Sequence, residues 1–119
     1  MRLAIVGSTS FARPEAWGEA RALVRATIER HRPEVVVSGG ARGVDTIARE
    51  EAEAAGVPVV EHLPARQRWG DGYRPRNLRI VEDCTHLLRV ACRESTTYGS
   101  GWTADRAEEA GRVVERRFL

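Results

Sequence analysis

Along the 119-residue chain the hydrophobic pattern switches period repeatedly. Residues 3–6 are an unbroken apolar run that stops at Gly7-Ser8-Thr9-Ser10, as expected of a strand buried on both faces. Ala16, Ala20, Leu23, Val24 and Ile28 then recur at helical spacing and predict a helix over 14–30, with Pro14 in its first turn. Residues 35–37 predict a second strand that ends in Ser38-Gly39-Gly40. Residues 44–55 predict a second helix stopped by Gly56, and 57–60 a third strand. Residues 63–74 show no period and are rich in Gly, Arg and aromatic side chains. Leu78, Ile80 and Val81 predict a helix over 75–84, followed by a fourth strand over 86–91. A polar turn over 95–101, a helix over 102–110 closed by Gly111, and a last strand opening at Val113-Val114 complete the pattern.

Strict alternation of strand and helix predicts an α/β fold. The expectation is a single Rossmann-like three-layer domain, with a mostly parallel sheet of about five strands and helices on both faces. In such sheets ligands bind outside the carboxyl ends of the strands. That rule selects four loops here, 7–10, 38–45, 62–77 and 92–103. The Gly-rich polar chemistry of the chain is concentrated in the same four.

Composition narrows the picture. The chain is 42% hydrophobic and 30% charged, as in an ordinary globular domain. Its net charge of +2 is too small to mark a nucleic-acid binder by itself. All 19 basic residues are Arg, which coding bias in a GC-rich genome would explain; Arg is nevertheless the residue that grips phosphate and carboxylate at two points. Cys84 and Cys92 lack the spacing of a metal or redox pair and read as core thiols. The N-terminus reads as a buried strand and not a signal peptide, and no apolar run approaches membrane-spanning length, so a cytoplasmic protein is expected.

The loops supply the candidate chemistry. Gly7 and Ser8 follow strand one, where Gly admits close approach and a hydroxyl either caps a helix or holds a phosphate. Ser38-Gly39-Gly40-Ala41-Arg42-Gly43 opens a helix, a setting in which backbone N–H groups attract anions. It is neither the dinucleotide fingerprint nor a phosphate loop with Lys. Asp45 either caps helix N–H groups or accepts a ribose hydroxyl. Arg42 is either a solvated charge or a phosphate contact. Arg74, Arg76 and Asn77 stand at a helix N-terminus, where cations are disfavoured unless an anion is bound. Trp69 and Tyr73 stack on a base or close a hydrophobic lid. Ser100, Gly101, Trp102 and Thr103 begin the last helix, with the hydroxyls as caps or anion contacts and the Trp as core or stacking surface. Glu61, Asp71, Glu94 and Asp105 stand near this edge with His62. No nucleophile–base pair or metal cluster has diagnostic spacing, so no metal and no required cofactor beyond a bound nucleotide is expected.

Together "GSTS", "SGGARGVDTIA", "RPRNLRIV" and "YGSGWTADRAEEAG" resemble the SLOG superfamily of Rossmann-like domains over nearly the whole chain. That superfamily includes the DNA-processing protein A domain, the LONELY GUY phosphoribohydrolases and small stand-alone YspA/YpsA-like proteins. Length and all four motifs are most similar to the last branch. The resemblance implies a nucleotide-derived ligand, of the nucleoside phosphate, ADP-ribose or NAD-related kind, held by a sensor or processing protein that forms a homodimer or higher homo-oligomer. The LONELY GUY motif PGGxGTxxE is broken. When its Thr is aligned on Thr103, Arg106 replaces the glutamate, and Asp105 and Glu108 are the only substitutes for an N-glycosidic-bond enzyme. Single-stranded DNA binding in the manner of DNA-processing protein A is the other alternative, at a much shorter length.

Overall fold

The structure, a computed structural model, describes residues 1–94 and 99–119. Five strands, β1 (Arg2–Gly7), β2 (Val35–Ser38), β3 (Val59–Glu61), β4 (His86–Ala91) and β5 (Val113–Phe118), form one sheet. Its order is β3-β2-β1-β4-β5 and every pair is parallel. Four helices connect them: α1 (Ala16–His31), α2 (Val44–Ala54), α3 (Arg74–Glu82) and α4 (Gly99–Glu109). The chain moves outward from β1 to β3, then crosses back to β4 on the other side of β1. The carboxyl ends of β1 and β4 therefore flank the switch point where parallel sheets open a crevice.

Period-two alternation in β1 divides the core. Leu3 and Ile5 join Val24 and Ile28 of α1, Ile47 of α2, and Val36, Leu88 and Val90 of the sheet. Ala4 and Val6 face Ile80 and Val81 of α3, Ala104 and Ala107 of α4, and Val35, Val37 and Leu87. Both faces of the central strands are covered, hence their continuous apolar runs. Cys84 and Cys92 are buried free thiols, and burial pushes Cys84 up to about 11. No helix among the described residues is long and apolar enough to cross a membrane.

Element ends depart from the sequence pattern: β3 begins at Val59 and not at Val57, α3 ends at Glu82 and not at Cys84, and three further places differ. The residues at 13–15 form a turn, with the Ala16 N–H donating to the Arg13 carbonyl (3.1 Å), so α1 begins after Pro14. The aperiodic stretch contains a π-helical turn over Trp69–Tyr73 that runs directly into α3. Helix α4 begins at Gly99 and not at Trp102, because Gly101, Thr103, Ala104 and Ala107 form its buried face and the Thr103 hydroxyl donates to the Gly99 carbonyl (3.0 Å). The strand opening at Val113-Val114 extends to Phe118. Ser95, Thr96, Thr97 and Tyr98 of the polar turn lie outside the described residues.

Gly43 adopts a left-handed φ of 77°, and a Cβ there would run into the Ser8 carbonyl and the Thr9 backbone. The β1 loop and the start of α2 are pressed together at this point, with the Val44 N–H donating to the Ser8 carbonyl (3.1 Å). Gly18, by contrast, lies exposed in the first turn of α1 with nothing around its would-be Cβ. Thermal and chemical denaturation should therefore separate the two positions. Gly43→Ala should destabilise by more than about 1 kcal/mol, and Gly18→Ala should stabilise by roughly 0.5–1 kcal/mol.

Candidate functional site

The loops after β1, β2 and β3, with the starts of α3 and α4, line one cleft of about 1340 Å³ at the carboxyl edge. The β1 loop contributes Gly7, Ser8 and Thr9; the β2–α2 loop contributes Gly39, Gly40, Ala41, Arg42 and Asp45. The segment before α3 adds Leu63, Arg66, Arg68, Trp69 and Tyr73, α3 adds Arg76 and Asn77, and α4 adds Gly99, Ser100 and Thr103. Of the residues expected at the site, Ser38, Gly43, Gly101 and Trp102 do not line it.

The floor is a buried polar cluster built around Arg76, which is only 8% exposed. Its Nη1 donates to the Gly39 carbonyl (2.5 Å) and the His62 carbonyl (3.4 Å), and its Nε to Asn77 Oδ1 (2.7 Å). One guanidinium thus ties the β2–α2 loop, the end of β3 and the first turn of α3. The cation at this helix start, electrostatically awkward from sequence, is held by carbonyls of neighbouring loops. Gly39 makes room for it, since a Cβ there would lie 2.5 Å from Arg76 Nη1 and 3.1 Å from Asp45 Oδ2. Burial lowers the pKa of Arg76, and the Asp45 carboxylate opposes that shift.

Asp45 sits in the first turn of α2 but reaches back to its own loop, where Oδ2 accepts the Ala41 N–H (3.0 Å). Burial pushes its carboxyl up to about 6, against the Ala41 N–H and the Arg76 charge, while Glu61 adds to the rise. Ser38 is fully buried, and its hydroxyl accepts the Gly40 N–H (3.2 Å). Gly40 has a φ of 69° and lies against Leu63 and Glu61. The N–H groups of Gly40 and Ala41 are thus engaged by side chains of the chain itself.

Other expected residues hold the walls. The Ser8 hydroxyl accepts the Cys92 N–H (2.8 Å), and Gly7 has no room for a Cβ against the Val90 carbonyl and Val44. The Ser100 hydroxyl accepts from Arg89 Nε (3.0 Å). Trp102 packs edge to face with Trp69 at 4.9 Å between centroids, and the guanidiniums of Arg106 (5.2 Å) and Arg74 (5.9 Å) lie over its ring. Of these two indoles, Trp69, 42% accessible, is the one that lines the cleft. The His62 ring turns away to Asp83 (2.8 Å), which also holds Arg2. Asp105 and Glu108 meet Arg116 of β5 at 3.0 and 3.5 Å, and neither lines the cleft.

Arg66 and Arg68 were not singled out from sequence. Both line the rim, more than 60% exposed, and both pair with Asp71 at 3.4 and 3.1 Å. The run Arg66-Gln67-Arg68-Trp69 was their signal, two cations and an aromatic within a polar loop at the ligand edge. Among the described lining residues four arginines face one carboxylate, Asp45.

No family model matches the chain, and no curated protein does. Solved structures do. DNA processing protein A from Streptococcus pneumoniae superposes with a TM-score of 0.74 at 22% identity, over 97% of this chain and 49% of that one. The protein TM1055 gives 0.73 at 17% identity, over 95% and 71% of the two chains. The Moco carrier protein from Chlamydomonas reinhardtii gives 0.73 at 17%, over 99% and 76%. The chain spans about half the length of the DNA-processing protein. It shares its fold with all three, and the Rossmann-like fold implied by the SLOG resemblance is the one it adopts.

The buried Asp45 carboxyl gives a signed pH dependence. It titrates higher in the folded chain, about 6 against an ordinary 3.8, so ionising it costs folded-state stability. Denaturation across pH should show wild type losing roughly 3 kcal/mol relative to Asp45→Asn as pH rises from about 4 to about 6, with a constant difference above.

Proposed function

We propose that this protein binds a nucleotide or nucleotide-derived ligand across the carboxyl edge of its sheet, as a sensor or processing protein of the small YspA/YpsA-like kind. The observation that carries this reading is the convergence of three strand-end loops and the starts of α3 and α4 on one cleft with a graded lining. The rim is cationic (Arg42, Arg66, Arg68), one wall is aromatic (Trp69, Tyr73), and the floor is polar (Asp45, Arg76, Asn77). A nucleoside phosphate has the matching parts. Its phosphate meets the rim arginines, whose planar donors suit it. Its base lies on the exposed face of Trp69. Its sugar spans the floor between them.

Binding ranks ahead of N-glycosidic cleavage because Asp105 and Glu108 are engaged by Arg116 outside the cleft. Exposed Trp69 beside Arg66 and Arg68 also suits a base of a single-stranded nucleic acid. That second reading requires an oligonucleotide to outcompete a mononucleotide, with affinity that falls steeply with salt.

The test is differential scanning with AMP, ADP-ribose and NAD. A ligand at 100 times its Kd stabilises the native state by about 2.7 kcal/mol, an easily read thermal shift. Arg66→Ala/Arg68→Ala should weaken binding by roughly ten- to a hundredfold and leave the unliganded melting temperature nearly unchanged, because surface ion pairs contribute little. No shift with any of the three at millimolar concentration would defeat the proposal.

A further inference from the structure

We infer that the floor of the cleft reads hydroxyl groups: Asp45 and Asn77 take the vicinal diol of a ribose, so the cleft selects ribonucleotides over 2′-deoxyribonucleotides and holds no phosphate on the Gly-rich loop. This inference rests on the nucleotide reading above and gives it a substrate class.

Backbone N–H groups of the Gly-rich loop already have partners within the chain. In a phosphate-binding turn the backbone N–H groups point outward to the anion. Here the Gly40 N–H is given to Ser38 Oγ and the Ala41 N–H to Asp45 Oδ2. The Gly39 N–H also bears on the Asp45 carboxyl. Asp45 is therefore an internal anion in the position a phosphate oxygen would need. Two anions so close in a partly desolvated site repel, and the phosphate is displaced to the rim.

The same carboxyl is suited to a neutral donor. Ionised, it only accepts, and it lines the cleft while only 8% exposed. Asn77, 7% exposed, has its Oδ1 fixed on Arg76 Nε, which leaves Nδ2 as the group with hydrogens to give. Arg76 connects the two residues: its Nε holds Asn77, and its Nη1 and Asp45 Oδ2 both bear on the space above Gly39. The floor thus presents an acceptor and a donor to the ligand. A pair of adjacent hydroxyls is the complement, one donating to Asp45 and the other accepting from Asn77. A deoxy sugar leaves one of these buried groups unpaired, and sites built around a hydroxyl reject analogues that lack it.

The charged groups facing Asp45 give a pH signature. Arg76 of α3 favours the carboxylate, while burial and Glu61 at the end of β3 favour the acid. A hydroxyl donor stabilises the carboxylate, so affinity for a diol rises as pH rises through the range where Asp45 ionises. A phosphate placed there would do the opposite.

Isothermal titration of the full chain with AMP, GMP and their 2′-deoxy forms, at pH 5 and pH 7.5, tests this. The expected result is at least tenfold tighter binding of the ribo forms at pH 7.5, with a smaller preference at pH 5. In Asp45→Asn, whose Oδ1 can accept the same Ala41 N–H, the preference should shrink severalfold and lose its pH dependence. Asn77→Ala should lower the preference at both pH values. Equal affinity of wild type for ribo and deoxy forms overturns the diol inference and leaves the nucleotide reading standing. Binding of neither overturns both. A ribo preference unchanged in Asp45→Asn and Asn77→Ala alike removes the floor as its source.

Discussion

The site depends on one buried cation. Arg76 donates to the Gly39 and His62 carbonyls and to Asn77, and so joins two loops of different strands to the helix that follows them. Taking a guanidinium out of water costs several kcal/mol, and that cost is recovered only if its donors are well placed. Three directed hydrogen bonds and the nearby Asp45 carboxyl meet that condition. A Lys could not, because a single ammonium on a flexible stem cannot reach carbonyls and an amide oxygen in one plane. Gly39 follows from the same constraint, since any side chain there would occupy the guanidinium's place.

This clamp divides the cleft into two mechanical regimes. The floor, with Ser38, Asp45, Arg76 and Asn77 all buried, is preorganised, so a ligand meets donors and acceptors already oriented. The rim is held more loosely. Arg66 and Arg68 share the exposed Asp71, and Trp69 rests edge-on against Trp102. Surface ion pairs of this kind contribute little stability.

Much of the fold was legible along the chain. Strands buried on both faces read as continuous apolar runs, and helices covering them read as 3.6-residue periodicity; both signals depend only on which faces are wet. The edge on which the cleft lies was equally legible, because parallel connectivity places every strand-to-helix loop there. Less legible was α4. Its first turn carries Gly99 and Gly101, residues that favour turns in isolation, and tertiary packing of small residues overrode the preference. The π-helical turn before α3 left no periodic trace, since five residues cannot show one.

Within the site, residue type and position were readable, but direction was not. Composition and loop placement pointed to Arg42, Asp45, Arg76 and Asn77 as neighbours of a ligand, and the cleft contains all four. Only the folded chain decided that Arg76 faces inward to carbonyls, that Asp45 occupies the turn's own N–H groups, and that Trp69 rather than Trp102 presents its ring to the cleft. The physical reason is range. Burial pattern and turn chemistry are local or periodic properties that a sequence displays directly. The partner of a polar side chain is set by loops that meet only after the sheet has assembled, and those contacts join residues as far apart as Gly39 and Arg76.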